Sequence, residues 1–97
     1  MAPEPVRPRL LPVELAPVPW PEVSSEDPIA EVARALVLNL RAAMADRSVR
    51  EVASAAGLHH TTLLKVLAGR AWPDLSTVAR LEEVLRTNLW PRRSFVP

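Results

Sequence analysis

Residues 48–69 read SVREVASAAGLHHTTLLKVLAG, and the spacing within them decides the fold. Ser48 stands just before an apolar-periodic run and Glu51 follows it by three residues. This is the pattern of a capping box, in which a hydroxyl and a carboxylate satisfy the open amides of a helix start. A helix is therefore expected from Val49, with Val52 and Ala53 turned inward and Ala56 closing its last turn. Gly57 can adopt the positive φ that ends a helix and reverses the chain, and Leu58 then plugs the corner. A second helix starts at His60. Stepping about 100° per residue puts Leu63, Val66 and Leu67 on one side and His60, Thr61, Leu64, Lys65 and Ala68 on the other. One face can pack while the other meets a ligand. Ala53 and Ala56 are small enough to let the two helices cross closely, so a long side chain at Ala53 should not fit.

These residues resemble the lambda-repressor and Cro-like (Xre-type) helix-turn-helix family. The similarity rests on alanine at the fifth motif position (Ala53), glycine at the ninth (Gly57) and apolar residues at the fourth, tenth, fifteenth and eighteenth (Val52, Leu58, Leu63, Val66). It continues through Gly69, Arg70 and PDLSTVARLEEVL, so that it covers roughly residues 36–89 and leaves out the first quarter of the chain. The family often has glutamine at the first position of its first motif helix, bracing the second helix and gripping a phosphate. Here that position is Val49, and Arg50 or the amides near Ser48 are the candidates to replace it. The resemblance implies an all-α, four- or five-helix lambda-repressor-like bundle that binds double-stranded DNA and regulates transcription, with repression the expected sign. The second motif helix would enter the major groove while the first lies across the backbone. In that pose His60, Thr61 and Lys65 face base edges, Ser48, Arg50 and Arg70 contact phosphates, and Thr62 could serve either role. His59 and Leu64 complete the same surface.

The whole chain of 97 residues permits one domain, and one this small buries only about 60–65% of its unfolded surface. Without cysteine, disulfides and thiolate metal sites are excluded. No apolar run is long enough for a membrane span, and the N-terminus lacks a signal-peptide pattern, so a cytoplasmic protein is expected. The net charge of +1 argues only weakly for a nucleic-acid partner, but its distribution says more. Residues 1–27 carry a net −3 and the remainder +4, and within residues 47–72 Arg47, Arg50, Lys65 and Arg70 stand against Glu51 alone. Apart from the short tail, the motif is the most basic patch.

Eight of the eleven prolines lie in residues 1–28, so residues 1–27 are expected to form an extended arm. Within it LLPVELAPVPW has a single charge, Glu14. Leu11, Val13, Leu15, Pro17 and Pro19 would line one side of an extended chain and need a surface to cover. That surface could be a second copy, making the arm the better candidate for a homodimer contact, or the chain's own first helix. Asp27-Pro28 then opens a helix running to about Asp46, with Ile29, Val32, Ala33, Leu36, Leu40, Ala43 and Met44 as its core stripe. Asp74 caps a last helix with Leu75, Val78, Leu81 and Leu85 inward and Asn88 as its stop. The bundle would close near residue 91 with Leu89-Trp90-Pro91 folded back, leaving residues 92–97 as a short basic tail. All three tryptophans precede proline, which makes them anchors of connecting segments.

Other chemistries are weaker. Adjacent histidines on a helix diverge and no second ligand cluster completes a shell, so neither a metal site at His59 and His60 nor any cofactor is expected. His59 reads as a weak helix cap. No acidic orienter accompanies His60 and Thr61, so no catalytic residue is assigned. Arg34, Arg41, Arg80 and Arg86 read as solvated helix faces. The alternative to a DNA reader is an antitoxin-like or adaptor module whose Pro-rich arm binds a protein partner, favoured by the near-neutral charge, Val49 and the exposed Leu64.

Overall fold

The computed structural model describes residues 10–95, so the expectations for residues 1–9, 96 and 97 lie outside it. Four α-helices and no strands are found among the described residues: α1 (Pro28–Met44), α2 (Val49–Ala56), α3 (His60–Leu67) and α4 (Leu75–Leu85), preceded by a single 3₁₀ turn at Pro12–Glu14. The all-helical bundle expected from the motif is the fold observed.

Three of the four α-helices begin where a side chain satisfies their open amides. Asp27 accepts from the N–H groups of Ile29 and Ala30, Ser48 from that of Glu51, and Asp74 from that of Thr77. His59 is the exception. It occupies the cap position of α3 in extended geometry, but its side chain makes no capping bond, so the weak cap expected there is not formed.

Helix ends follow an equally local logic. Gly57 has φ +71°, the Leu58 N–H reaches the Ala53 carbonyl at 2.8 Å and the Gly57 N–H reaches that of Ser54 at 3.1 Å. These two bonds form a Schellman turn, and they carry the chain from α2 into α3 within three residues. Helix α4 ends at Leu85 with Arg86 in the left-handed region, three residues before the expected stop at Asn88. Helix α1 ends at Met44, because Ala45 leaves helical geometry with φ +51° and ψ −120°.

The core is built from Val37, Leu40, Met44, Val52, Ala53, Ala56, Leu63, Val66, Leu81 and Leu89. Burying a leucine of this kind contributes about 1.5–3 kcal/mol. Two expected core positions are wrong by a fraction of a turn. Along α1 the buried stripe runs through Ala30, Ala33, Leu36, Val37, Leu40 and Met44, leaving Ile29 56% exposed at its edge. In α4 the first residue, Leu75, is 76% exposed, and Thr77 turns inward beside the expected Val78 and Leu81. Leu89 is fully buried beyond the last helix. The Glu82 carboxylate accepts its N–H at 2.7 Å, and the Asn39 amide donates to its carbonyl at 2.9 Å. Trp90, by contrast, is half exposed and does not anchor the segment.

The described part of the arm lies on its own chain. Its buried residues are Pro12 and Pro21, not an alternating strip, because the 3₁₀ turn breaks the period of two, and Pro17 and Pro19 face solvent. The Val13 N–H donates to the Gly69 carbonyl at 3.0 Å, the Trp20 indole to the Leu67 carbonyl at 3.0 Å and the Trp72 indole to the Leu10 carbonyl at 2.8 Å. Arg34 is no solvated helix face. It pairs with Glu31 and donates to the Pro21 carbonyl at 3.0 Å and to the Ser24 hydroxyl at 3.2 Å, tying the arm to α1. The Val18–Pro19 and Trp20–Pro21 peptide bonds are cis.

Candidate nucleic-acid interface

Helices α2 and α3 pack through Val52, Ala53 and Ala56 on one and Leu63 and Val66 on the other, all buried in the common core. Anchoring those residues turns the remaining face of α3 outward. Thr61, Leu64, Lys65 and Ala68 are exposed, with Leu64 at 46%, while His60 and Thr62 are half-buried. The division between packing and outward faces follows the wheel drawn from the sequence, except that His60, expected outward, is half-buried, as is Thr62.

On the α2 side, Arg50 is exposed and shares a shallow concavity with Ala53, Ser54, Leu58, His59 and His60. The structure therefore brings Arg50 to both histidines across the turn. Ser54 belongs to the same concavity and was missing from the sequence-based set. Its position four residues after Arg50, on the same polar face of α2, was the signal that could have found it. Val49, at the position where the resemblance led to an expected glutamine, is half-buried against the core and its side chain offers no polar atom. Arg50 is the cation beside it.

Ser48 is exposed at the start of α2, with its hydroxyl oxygen 3.1 Å from the Glu51 amide it caps. A hydroxyl that accepts one bond still has a proton to donate. Arg70 leaves the end of α3 exposed, its own N–H bound to the Lys65 carbonyl at 2.8 Å. Ser48, Arg50, Lys65 and Arg70 thus frame α2 and α3 with one hydroxyl and three cations. No ion pair ties up the side chain of Arg50, Lys65 or Arg70 among the described residues.

The shifted titrations lie away from this surface. The Arg34 guanidinium holds the Glu31 carboxyl below its ordinary value, against partial desolvation, and the Ser25 amide adds to the effect. Arg34 is raised in return. The backbone N–H of Thr77 holds the Asp74 carboxyl low in the same manner. These groups cap and brace helices. No three His, Cys, Asp or Glu side chains come together as a metal shell among the described residues, and no helix among them is long and apolar enough to cross a membrane.

A helix pair with a buried inner seam, a glycine corner and a polar, basic outer face can lay one helix along a groove and hold phosphates with the other. No curated protein and no solved structure matched the chain. A helix-turn-helix family model matches residues 37–89, more than half of the chain and nearly the whole span over which the resemblance was read from the sequence. The chain belongs to the lambda-repressor and Cro-like (Xre-type) helix-turn-helix family, whose members are DNA-binding regulators and not enzymes.

Proposed function

We propose that the protein is a sequence-specific double-stranded DNA-binding transcriptional repressor that reads the major groove with α3. The observation that carries this reading is the outward face of α3, where Thr61, Leu64 and Lys65 project opposite the buried Leu63 and Val66 and Arg50 flanks the start of the helix. His60 can donate to guanine or accept from adenine or cytosine, and Thr61 can bond a base or meet a thymine methyl. Lys65 can donate to guanine N7 or O6. Ser48, Arg50 and Arg70 contact phosphates and set the register without specifying sequence, and His59, Thr62 and Leu64 fill the rest of the interface. Repression follows from occupying the site. A two-fold dimer on half-sites about one helical turn apart would double the few base contacts one α3 can make.

Selection of bound duplexes from a random pool, followed by binding of Lys65→Ala to the selected site and to random DNA, tests the reading. The selected site should show a two-fold symmetric or single compact core, and Lys65→Ala should weaken that site far more than random DNA. Failure to enrich any sequence would overturn it.

A second reading, an antitoxin-like or adaptor module, is favoured by the mostly apolar recess of about 190 Å³ that Ile29, Val32, Leu36, Trp72 and Trp90 line together with Arg93. The arm's own apolar side chains are partly used in cis. An adaptor would bind random duplex DNA weakly or not at all, whereas a DNA reader would bind it measurably at low salt, with an affinity that falls steeply as salt rises.

A further inference from the structure

Helix α3 has eight residues, too few to hold its own shape in water, so its position is set by what it touches. Its last four carbonyls need partners. Three find them locally: Leu64 accepts from Ala68 at 3.0 Å, Lys65 from Arg70 at 2.8 Å and Val66 from Gly69 at 3.1 Å, the last two forming a Schellman turn around Gly69. The fourth, the Leu67 carbonyl, accepts from the indole N–H of Trp20, 47 residues earlier in the chain. The Trp20 ring also lies on Gly69, while the Val13 N–H holds the Gly69 carbonyl. Trp20 itself is gripped from behind, since Pro21 is fully buried and its carbonyl is bound by Arg34. The arm lies outside the family match at residues 37–89, yet it finishes the end of the helix on which Lys65 sits.

We propose that Trp20 is a positioning residue for sequence reading: its indole N–H on the Leu67 carbonyl and its ring on Gly69 fix the C-terminal half of α3, and with it Lys65, against the groove. This rests on the reading of α3 as the groove helix. Base-edge contacts demand placement to a fraction of an ångström, whereas long arginine side chains reach phosphates from many poses. Loosening the end of α3 therefore costs discrimination before it costs general affinity.

The experiment compares Trp20→Phe, which keeps an aromatic ring on Gly69 and removes the donor, with the unchanged full chain. Affinity is measured on the selected duplex and on random duplex at several salt concentrations. The ratio of the two affinities should fall about tenfold, the order of one lost base contact, with the salt slope and helical signal unchanged. A merely structural role would lower thermal stability and weaken both DNAs together. Arg34→Gln, which frees the arm at Pro21 without touching α3, should lower the ratio in the same direction and decides the matter if Trp20→Phe does not fold. Lys65→Ala and His60→Ala run beside them. If these lower the ratio while the folded arm variants leave it intact, the positioning role is overturned and the reading of α3 stands. If none of the four lowers it, the reading of α3 falls and the positioning role with it.

Discussion

The indole of Trp20 lies so close to Gly69 that a Cβ there would sit 2.7 Å from Trp20 Cε2 and 2.9 Å from Cζ2. Gly69 also has φ +70°, so any side chain meets both a ring and an unfavourable backbone. The close approach lets one residue of the arm cover the turn that ends α3.

Gly69→Ala should therefore destabilise the protein by at least the roughly 1–2 kcal/mol of a left-handed non-glycine residue, with the ring clash added. Trp20→Ala removes the clash. In urea unfolding the double variant should lose less stability than the sum of the single losses, because the two residues share one contact. Additive losses would show that the ring and the glycine do not interact.

The reverse change is expected to help at Ala45. It holds φ +51° and ψ −120°, a conformation suited to glycine, at the exit of α1. Ala45→Gly should raise stability by about 1 kcal/mol, less the extra chain entropy glycine brings to the unfolded state. A lower midpoint in thermal unfolding would contradict this.

Acid should loosen the arm first. The Glu31 carboxyl accepts from the Ser25 N–H at 2.8 Å and from Arg34 Nε at 2.7 Å, and Arg34 in turn holds Pro21. Because Glu31 is more acidic folded than unfolded, its stabilisation is complete above its ordinary value of 4.5 and is lost as pH falls through the lower, folded-state value. Glu31→Gln should flatten that part of the stability profile. The part due to Asp74, whose carboxyl is also held low, should persist in the variant. An unchanged profile in Glu31→Gln would remove the pair from the acid response.

On DNA, Arg50→Ala and Arg70→Ala should each weaken specific and random binding alike and reduce the salt slope by about one. His60→Ala and Lys65→Ala should each cost roughly 1–3 kcal/mol on the selected site and little on random DNA. Slopes that stay unchanged would take the arginines off the backbone. Equal losses on both DNAs would take His60 and Lys65 off the bases.

Leu89 offers a check on the bundle itself. Its side chain is fully buried and both its backbone groups are held by side chains, so Leu89→Ala should cost about 2–5 kcal/mol. Glu82→Ala, which leaves the Leu89 and Trp90 amides without their acceptor, should cost part of that. If chemical denaturation showed no loss in either variant, the C-terminal segment would contribute nothing to the fold.

Sequence alone determined the two motif helices, the serine and aspartate caps, the glycine corner and the outward face of α3. Each depends on residues within a turn or two of one another, through i→i+3 and i→i+4 geometry that the chain carries wherever it folds. Val49–Ala56 and His60–Leu67 were accordingly legible to the residue, and so was most of the outward set: Thr61, Leu64, Lys65 and Ala68 are exposed, whereas His60 is half-buried. Tertiary structure decided the rest. Whether Ile29 or Ala30 faces the core, and Leu75 or Thr77, turns on what packs against the helix edge and not on its period. The seat of the arm depends on a bond spanning 47 residues from Trp20 to Leu67, on Arg34 finding Pro21, and on Gly69 leaving room for a ring. Apolar and proline-rich spacing shows that such a segment needs a surface, but only the folded bundle supplies one, because long-range contacts are made by shape and unpaired carbonyls that no local pattern records.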